Sequence, residues 1–230
     1  MKIMKKTNIL KFIFLFMFII SSSFIKVYGI EENNDSKIIL IDPGHGGFDG
    51  GAVSKRGTIE KDINLSISKK INDRLKENGY KVYMTREEDI SLHEKGKSLK
   101  EKKVEDLKKR CSLKIETNCD LFISIHQNMF TDSRFFGAQV WYSDYKDSEV
   151  FANIMQKHLK DEVDNNNKRL PKAAKDSYRI LRDKYEKPCI ILECGFLSNP
   201  KEEEKLKDEE YQNKIAEAVV NSINEYFNRN

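Results

Sequence analysis

The sequence predicts an α/β fold in which a mostly parallel, mixed sheet is flanked by helices. Three observations carry this. Apolar runs such as Phe122-Ile123-Ser124-Ile125 and Ile190-Ile191-Leu192 have the length of strands. They alternate with longer segments of helical periodicity, the order that produces parallel sheets covered on both faces. The connection from Ile125 to the run opening at Gly137 is short, so one antiparallel pair is expected.

In chain order, residues 31–36 are a polar lead-in and Lys37 to Ile41 is the first strand. Between Asp62 and Asn78, Ile63, Ile67, Ile71 and Leu75 recur every four residues and build one apolar helix face, which Gly79 ends. Tyr80 to Met84 is the second strand. Glu87 to Lys103 is charged and aperiodic, a surface loop running into a helix from about Val104 to Thr117. Strands follow at Asp120 to Ile125 and at Gly137 to Tyr142. Ser148 to Val163 gathers Val150, Phe151, Ile154, Met155 and Leu159 on one side of a helix. Asp164 to Leu170 is a polar loop, and Lys172 to Asp183 is expected to be helical. Pro188 opens a strand over Cys189 to Glu193, and Asp208 to Phe227 closes the chain as an amphipathic helix. No internal repeat or linker interrupts this order, so one domain is expected over residues 37–228.

Residues 1–29 stand apart. Lys2, Lys5 and Lys6 precede the apolar run Phe12 to Ile20 and then three serines, the pattern of a signal peptide. Cleavage after Gly29 is expected; an uncleaved leader would instead serve as a membrane anchor. Export across the cytoplasmic membrane follows in either case. The whole chain carries a net charge of +4, but five of its lysines lie in the leader, leaving 36 basic against 37 acidic side chains. The basic character belongs to the leader, and no nucleic-acid partner is expected. The four cysteines, at 111, 119, 189 and 194, lack the spacing of a stapled mini-domain or a metal knuckle and are expected as free thiols. Cys189 and Cys194 should point to opposite sheet faces.

The chemistry-bearing residues are distributed. His45 lies in Asp42-Pro43-Gly44-His45-Gly46-Gly47, Glu60 follows, His126 ends one strand and Glu193 ends another. Sites in α/β proteins form at the carboxyl ends of strands. Two imidazoles and one carboxylate can hold Zn²⁺ with a fourth position open, and a spare carboxylate can move protons. That set makes the single domain zinc-hydrolase-like. A buried, unpaired Glu193 would be costly, so a metal, a cation or a catalytic task is expected for it. The glycine-rich turn is not a dinucleotide loop, because Asp49 stands where the last glycine of G-x-G-x-x-G is needed. His93-Glu94 opens a decoy zinc motif whose last place holds Lys97, and His158 is expected at the surface.

The ordered motifs carry a resemblance. Ile41 to Ala52, Glu60-Lys61-Asp62-Ile63-Asn64-Leu65, Thr85-Arg86, Phe122 to Asn128 and Leu192 to Asn199 together resemble the zinc-dependent N-acetylmuramoyl-L-alanine amidases of the amidase-3 family. The resemblance spans about residues 37–228 and extends to that family's compact, CwlD-type sporulation and germination branch. It implies that His45, Glu60 and His126 bind zinc and that Glu193 is the catalytic acid/base. The implied reaction cuts the amide between the lactyl group of N-acetylmuramic acid and L-alanine in peptidoglycan, in the cell wall or in the forespore intermembrane space during cortex maturation. Arg110 matches the family, but Ile115-Glu116 stands where an Asn is usual. Two rivals are a catalytically silent peptidoglycan-binding scaffold and a zinc peptidase acting within the stem peptide. The lysine-rich stretch Lys95 to Lys109 is a solvated insert or the contact surface of an exported activating or localising protein partner.

Overall fold

The computed structural model describes residues 36–94 and 98–229. The predicted leader and Lys95 to Lys97 of the lysine-rich stretch lie outside the described residues. The sheet has six strands: β1 (Ile38–Pro43), β2 (Lys81–Met84), β3 (Leu121–Asn128), β4 (Gln139–Tyr142), β5 (Lys172–Ala173) and β6 (Cys189–Phe196). Their order is β2-β1-β3-β6-β4-β5. All neighbouring pairs are parallel except β4 with β6. The expected mixed sheet and its one antiparallel pair are both present.

Five α-helices flank the sheet: α1 (Glu60–Glu77), α2 (Leu99–Thr117), α3 (Lys146–His158, extended by a π turn over Leu159–Val163), α4 (Pro200–Lys207) and α5 (Glu209–Phe227). The strands alternate between two cores. Ile39, Ile41, Ile123, Ile125, Ile190, Leu192 and Cys194 face the larger one with Ile63, Ile67, Ile71 and Leu75 of α1 and Ile215, Val219 and Ile223 of α5. Leu40, Phe122, Ile191 and Cys189 face a smaller one with Leu107, Cys111 and Leu113 of α2. Burial on both faces is why these strands read as continuous apolar runs rather than as an alternation. Cys189 and Cys194 do lie on opposite faces, and all four cysteines are free thiols.

Three local expectations are corrected. Lys172 to Asp183 is not a helix. Its first residues pair with Trp141 and Tyr142 at the open edge of β4, Lys175 takes a left-handed φ of 46°, and only Arg179–Leu181 forms a 3-10 turn. An available sheet edge overrides the local preference. Helix α2 begins at Leu99, because Ser98 and Glu101 form a reciprocal capping box. Helix α4 was not expected; Asn199 caps it and Pro200 occupies its first position. Lys114 of α2, fully buried, donates to Ile180 O at 2.6 Å and lies 2.6 Å from Asp183, which ties α2 to the 3-10 turn. Among the described residues no helix is long and apolar enough to cross a membrane.

Candidate metal centre

Strand β1 delivers the loop carrying His45 to the carboxyl end of the sheet. The Gly44 N–H donates to Ile125 O at 2.9 Å, pinning the loop against β3. A Cβ at Gly44 would fall 2.3 Å from the His126 ring, so glycine is what lets the two histidines meet. His45 itself has a φ of 61°, a left-handed conformation costing about 1–2 kcal/mol for a residue with a Cβ. Arg110 holds it there, donating to His45 O at 2.7 Å and to Pro43 O at 3.0 Å. Arg110 is anchored in turn by Asp42, whose two oxygens also accept Thr85 and Ser124, each at 2.6 Å. The guanidinium beside Asp42 outweighs the cost of burial and holds its carboxyl below the usual range. Arg86 adds bonds to Pro43 O, Gly44 O and Lys61 O. The sequence places Thr85, Arg86 and Arg110 in motifs; the structure makes them the frame of the loop.

Glu60, the first residue of α1, reaches both imidazoles. Its Oε1 lies 3.3 Å from His45 Nε2 and 3.0 Å from His126 Nδ1, and the rings stand 4.9 Å apart at 78°. Oε1 also accepts the Gln127 N–H at 3.0 Å and Oε2 the Ala52 N–H at 2.8 Å, so the carboxylate is fixed by backbone. One ligand atom from each of His45, Glu60 and His126 fits within 4.8 Å of the others. Tetrahedral bonds of about 2.0–2.1 Å to a zinc ion hold ligand atoms roughly 3.4 Å apart, so this donor set fits a divalent ion. His45 Nδ1 faces Asp49 at 3.0 Å, and Lys103 lies 3.0 Å from the other Asp49 oxygen. Burial alone would lower the pKa of His45, but its bonds to Asp49 and Glu60 prevail and raise it to about 9. Glu60 moves the other way, held far below the carboxylate range by the two imidazoles despite its burial.

Glu193 completes the group. It is the register partner of His126 on the adjacent strand and is 7% exposed. Among the described residues its Oε2 has no hydrogen-bond partner. Burial, with Glu60 nearby, pushes its pKa up to about 7, while His126, His45 and Tyr178 oppose the rise. Among the described residues no arginine forms an ion pair with it. The structure thus brings His45, Glu60, His126 and Glu193 to one end of the sheet. The set aside histidines lie elsewhere: His93 bonds Ser91 at 2.9 Å, and His158 is not freely exposed but bridges Glu162 and Glu225. Asp49, Tyr178 and Gln139, which is Glu193's cross-strand neighbour, were not singled out from the sequence. Only the i, i+4 spacing of His45 and Asp49 offered a signal.

Known proteins resemble this chain in sequence and fold. The chain is 38% identical over 208 residues to the germination-specific N-acetylmuramoyl-L-alanine amidase of Bacillus subtilis, covering 85% of this chain and 86% of that one. It superimposes on the CwlD amidase of Clostridioides difficile, solved in complex with the GerS lipoprotein, with a TM-score of 0.80 and 41% identity over 84% of this chain and 98% of that one. The catalytic domain of CwlV, an N-acetylmuramoyl-L-alanine amidase of Bacillus (Paenibacillus) polymyxa var. colistinus, matches with a TM-score of 0.72 and 32% identity over 83% and 98% of the two chains. Residues 39–225 match the family described as N-acetylmuramoyl-L-alanine amidase, and the chain belongs to that amidase-3 family.

Proposed function

We propose that this amidase cuts the bond between the lactyl group of N-acetylmuramic acid and L-alanine with zinc held by His45, Glu60 and His126, and with Glu193 carrying the proton. The observation that supports this best is the pairing of a three-residue donor set with a buried carboxylate one strand away, one of whose oxygens has no hydrogen-bond partner among the described residues. When bound, the ion supplies Lewis acidity, which lowers the pKa of water and polarises an amide carbonyl. Asp49 fixes His45 with Nε2 turned inward, as outer-shell carboxylates do for ligating histidines. Glu193, raised to about 7, suits both halves of a proton transfer at neutral pH. It takes a proton from the attacking water and hands it to the departing L-alanine nitrogen.

Similarity to the germination-specific enzyme supports a role in the spore cortex, where removal of the stem peptide precedes muramic-δ-lactam formation. The basic and apolar segment at residues 1–29 supports export, placing the enzyme in the wall or the forespore intermembrane space. The neighbouring CwlD structure, solved with a lipoprotein, supports an exported protein partner here as well.

Mass spectrometry of digested muropeptides tests the reading. Free, intact stem peptide starting with L-alanine is expected. Shortened stems still attached to sugar would point to a stem peptidase, and unchanged muropeptides to a silent scaffold.

A further inference from the structure

Strand β4 runs against β6, so its N-terminal end meets the carboxyl ends of β3 and β6 at the edge that carries Glu193. The segment feeding it, residues 129–138, exposes Met129, Phe130, Phe135 and Phe136 there. Together with Asn166, Lys168 and Arg169, it walls an open cleft of about 490 Å³. Its named charged residues, Arg134, Lys168 and Arg169, are all cationic.

Arg169 is the fixed point of the cleft. Its guanidinium lies over Phe196, 4.4 Å from the ring centroid, donates from Nε to Phe136 O at 2.7 Å, and reaches Gln139 Oε1 from Nη1 at 3.3 Å. Arg134, by contrast, is committed to Asp132 at 2.7 Å. Among the described residues no carboxylate lies within ion-pair distance of Arg169; partial burial disfavours its charge, and the more distant Glu202 favours it. A half-buried guanidinium held in place by these contacts, with no carboxylate in direct contact and Nη2 uncommitted, is suited to capture a carboxylate. Gln139 stands opposite Glu193, and paired residues on antiparallel strands have Cα atoms about 5 Å apart. Arg169 is therefore one side chain away from the reacting end of the site. An extended peptide advances about 3.3–3.6 Å per residue, so one to three residues span that gap.

We propose that this cleft is a carboxylate subsite, with Arg169 as its specificity-determining residue for the peptide side of the scissile bond. The inference rests on the amidase reading and adds to it a preference for stem peptides whose carboxyl groups are free. A neutral glycan would use the aromatic wall but leave the guanidinium unmatched, which is why the peptide is the favoured occupant.

The test compares muramoyl peptides bearing free carboxyl groups with their carboxamide counterparts, using wild type, Arg169→Lys and Arg169→Met. Calorimetric binding of the corresponding free peptides serves as a readout that needs no turnover. The acid-to-amide ratio of kcat/KM, and of peptide affinity, is expected to be tenfold or more in wild type, the size of one charge-assisted pair. Arg169→Met should bring both ratios close to one, and Arg169→Lys should fall between. Unchanged ratios in Arg169→Met would overturn the subsite, even if overall activity dropped. So would Arg169-dependent binding of a peptide-free disaccharide. If wild type cleaves no muramoyl peptide, the amidase reading fails, and the peptide affinities still decide the subsite.

Discussion

The carboxylate of Asp49 lies 3.0 Å from Nδ1 of His45, and the same group pairs with Lys103 of α2. A candidate metal ligand is thereby oriented by a helix on the other side of its loop. Asp49→Ala should weaken zinc binding about 10- to 100-fold, the usual cost of losing an outer-shell partner. Asp49→Asn, which keeps an acceptor, should lose less. Lys103→Met should lose least, because that lysine is half exposed. Competition titration against a chromophoric chelator reads all three.

Metal binding should be steeply pH dependent. In the metal-free protein His45 is raised from 6.5 to about 9, so it carries a proton at neutral pH. An incoming ion must expel that proton, and affinity should rise about tenfold per pH unit up to about pH 9. The stability of the metal-free protein should move oppositely. The protonated imidazole stabilises the fold fully below about 6.5, and this contribution is lost as pH climbs towards 9. Zinc titrations with proton-release calorimetry, alongside chelator-treated melts, check both signs.

Glu193→Gln should separate chemistry from folding. Turnover of muropeptides should fall about 10²- to 10⁴-fold, with zinc still bound. Because burial raises Glu193 to about 7, ionising it in the folded protein costs stability above the unfolded value. The glutamine variant, measured with chelator present, should therefore melt higher than wild type at pH 8, and the gap should close towards pH 4. A variant with full activity would sink the assignment of Glu193 as proton carrier.

Two glycines make a matched pair. A Cβ at Gly51 would lie 2.5 Å from Glu60 Oε2 and 2.7 Å from His45 Cδ2, at a φ of 71°. A Cβ at Gly57, with a φ of 88°, would meet nothing within 4 Å. Both alanine variants carry backbone strain, but only Gly51→Ala should displace the candidate metal ligands His45 and Glu60. Zinc affinity is expected to drop at least about 100-fold in Gly51→Ala and to hold in Gly57→Ala, as the second-sphere magnitude sets the lower bound.

Lys114→Met should destabilise the protein. It strips the partner from Asp183, a donor from Ile180 O and the ammonium that lies over the Phe122 ring. Breaking a buried ion pair from one side costs about 3 kcal/mol, or roughly 10 °C in melting temperature for a domain of this size. Thermal unfolding followed by circular dichroism measures it.

The parts of the fold that were legible from sequence are those where pattern and burial coincide. The four-residue spacing from Ile63 to Leu75 marks α1, and the apolar runs ending at His126 and Glu193 mark the central strands. Residues 172–183 carry a helical pattern but do not form a helix, because Lys172 and Ala173 follow the free edge of β4, which no local pattern reveals. Helices α2 and α4 were mistimed or missed because their starts depend on single caps, Ser98 and Asn199, rather than on periodicity. In the site, His45, His126 and Glu193 stood out by ending apolar runs, while Glu60 was assigned by family resemblance. Asp49, Gln139 and Tyr178 did not stand out, because contacts made across strands and loops leave no periodic trace in the chain.

The reversed direction of β4 also separates two kinds of evolutionary freedom. The candidate metal ligands sit on or beside parallel strands whose neighbours tolerate almost no added volume, as Gly44 and Gly51 show. The segment entering β4 is tethered through a few bonds, such as Phe130 N to Ser198 and Asn199 to Phe135 O, and keeps Met129, Phe130, Phe135 and Phe136 exposed. If the Arg169 cleft takes the stem peptide, substitutions there would retune which wall fragments are accepted while the candidate reacting groups stay in place. The rim can thus vary where the tight end of the sheet cannot, and the reversed strand β4 marks the boundary between the two.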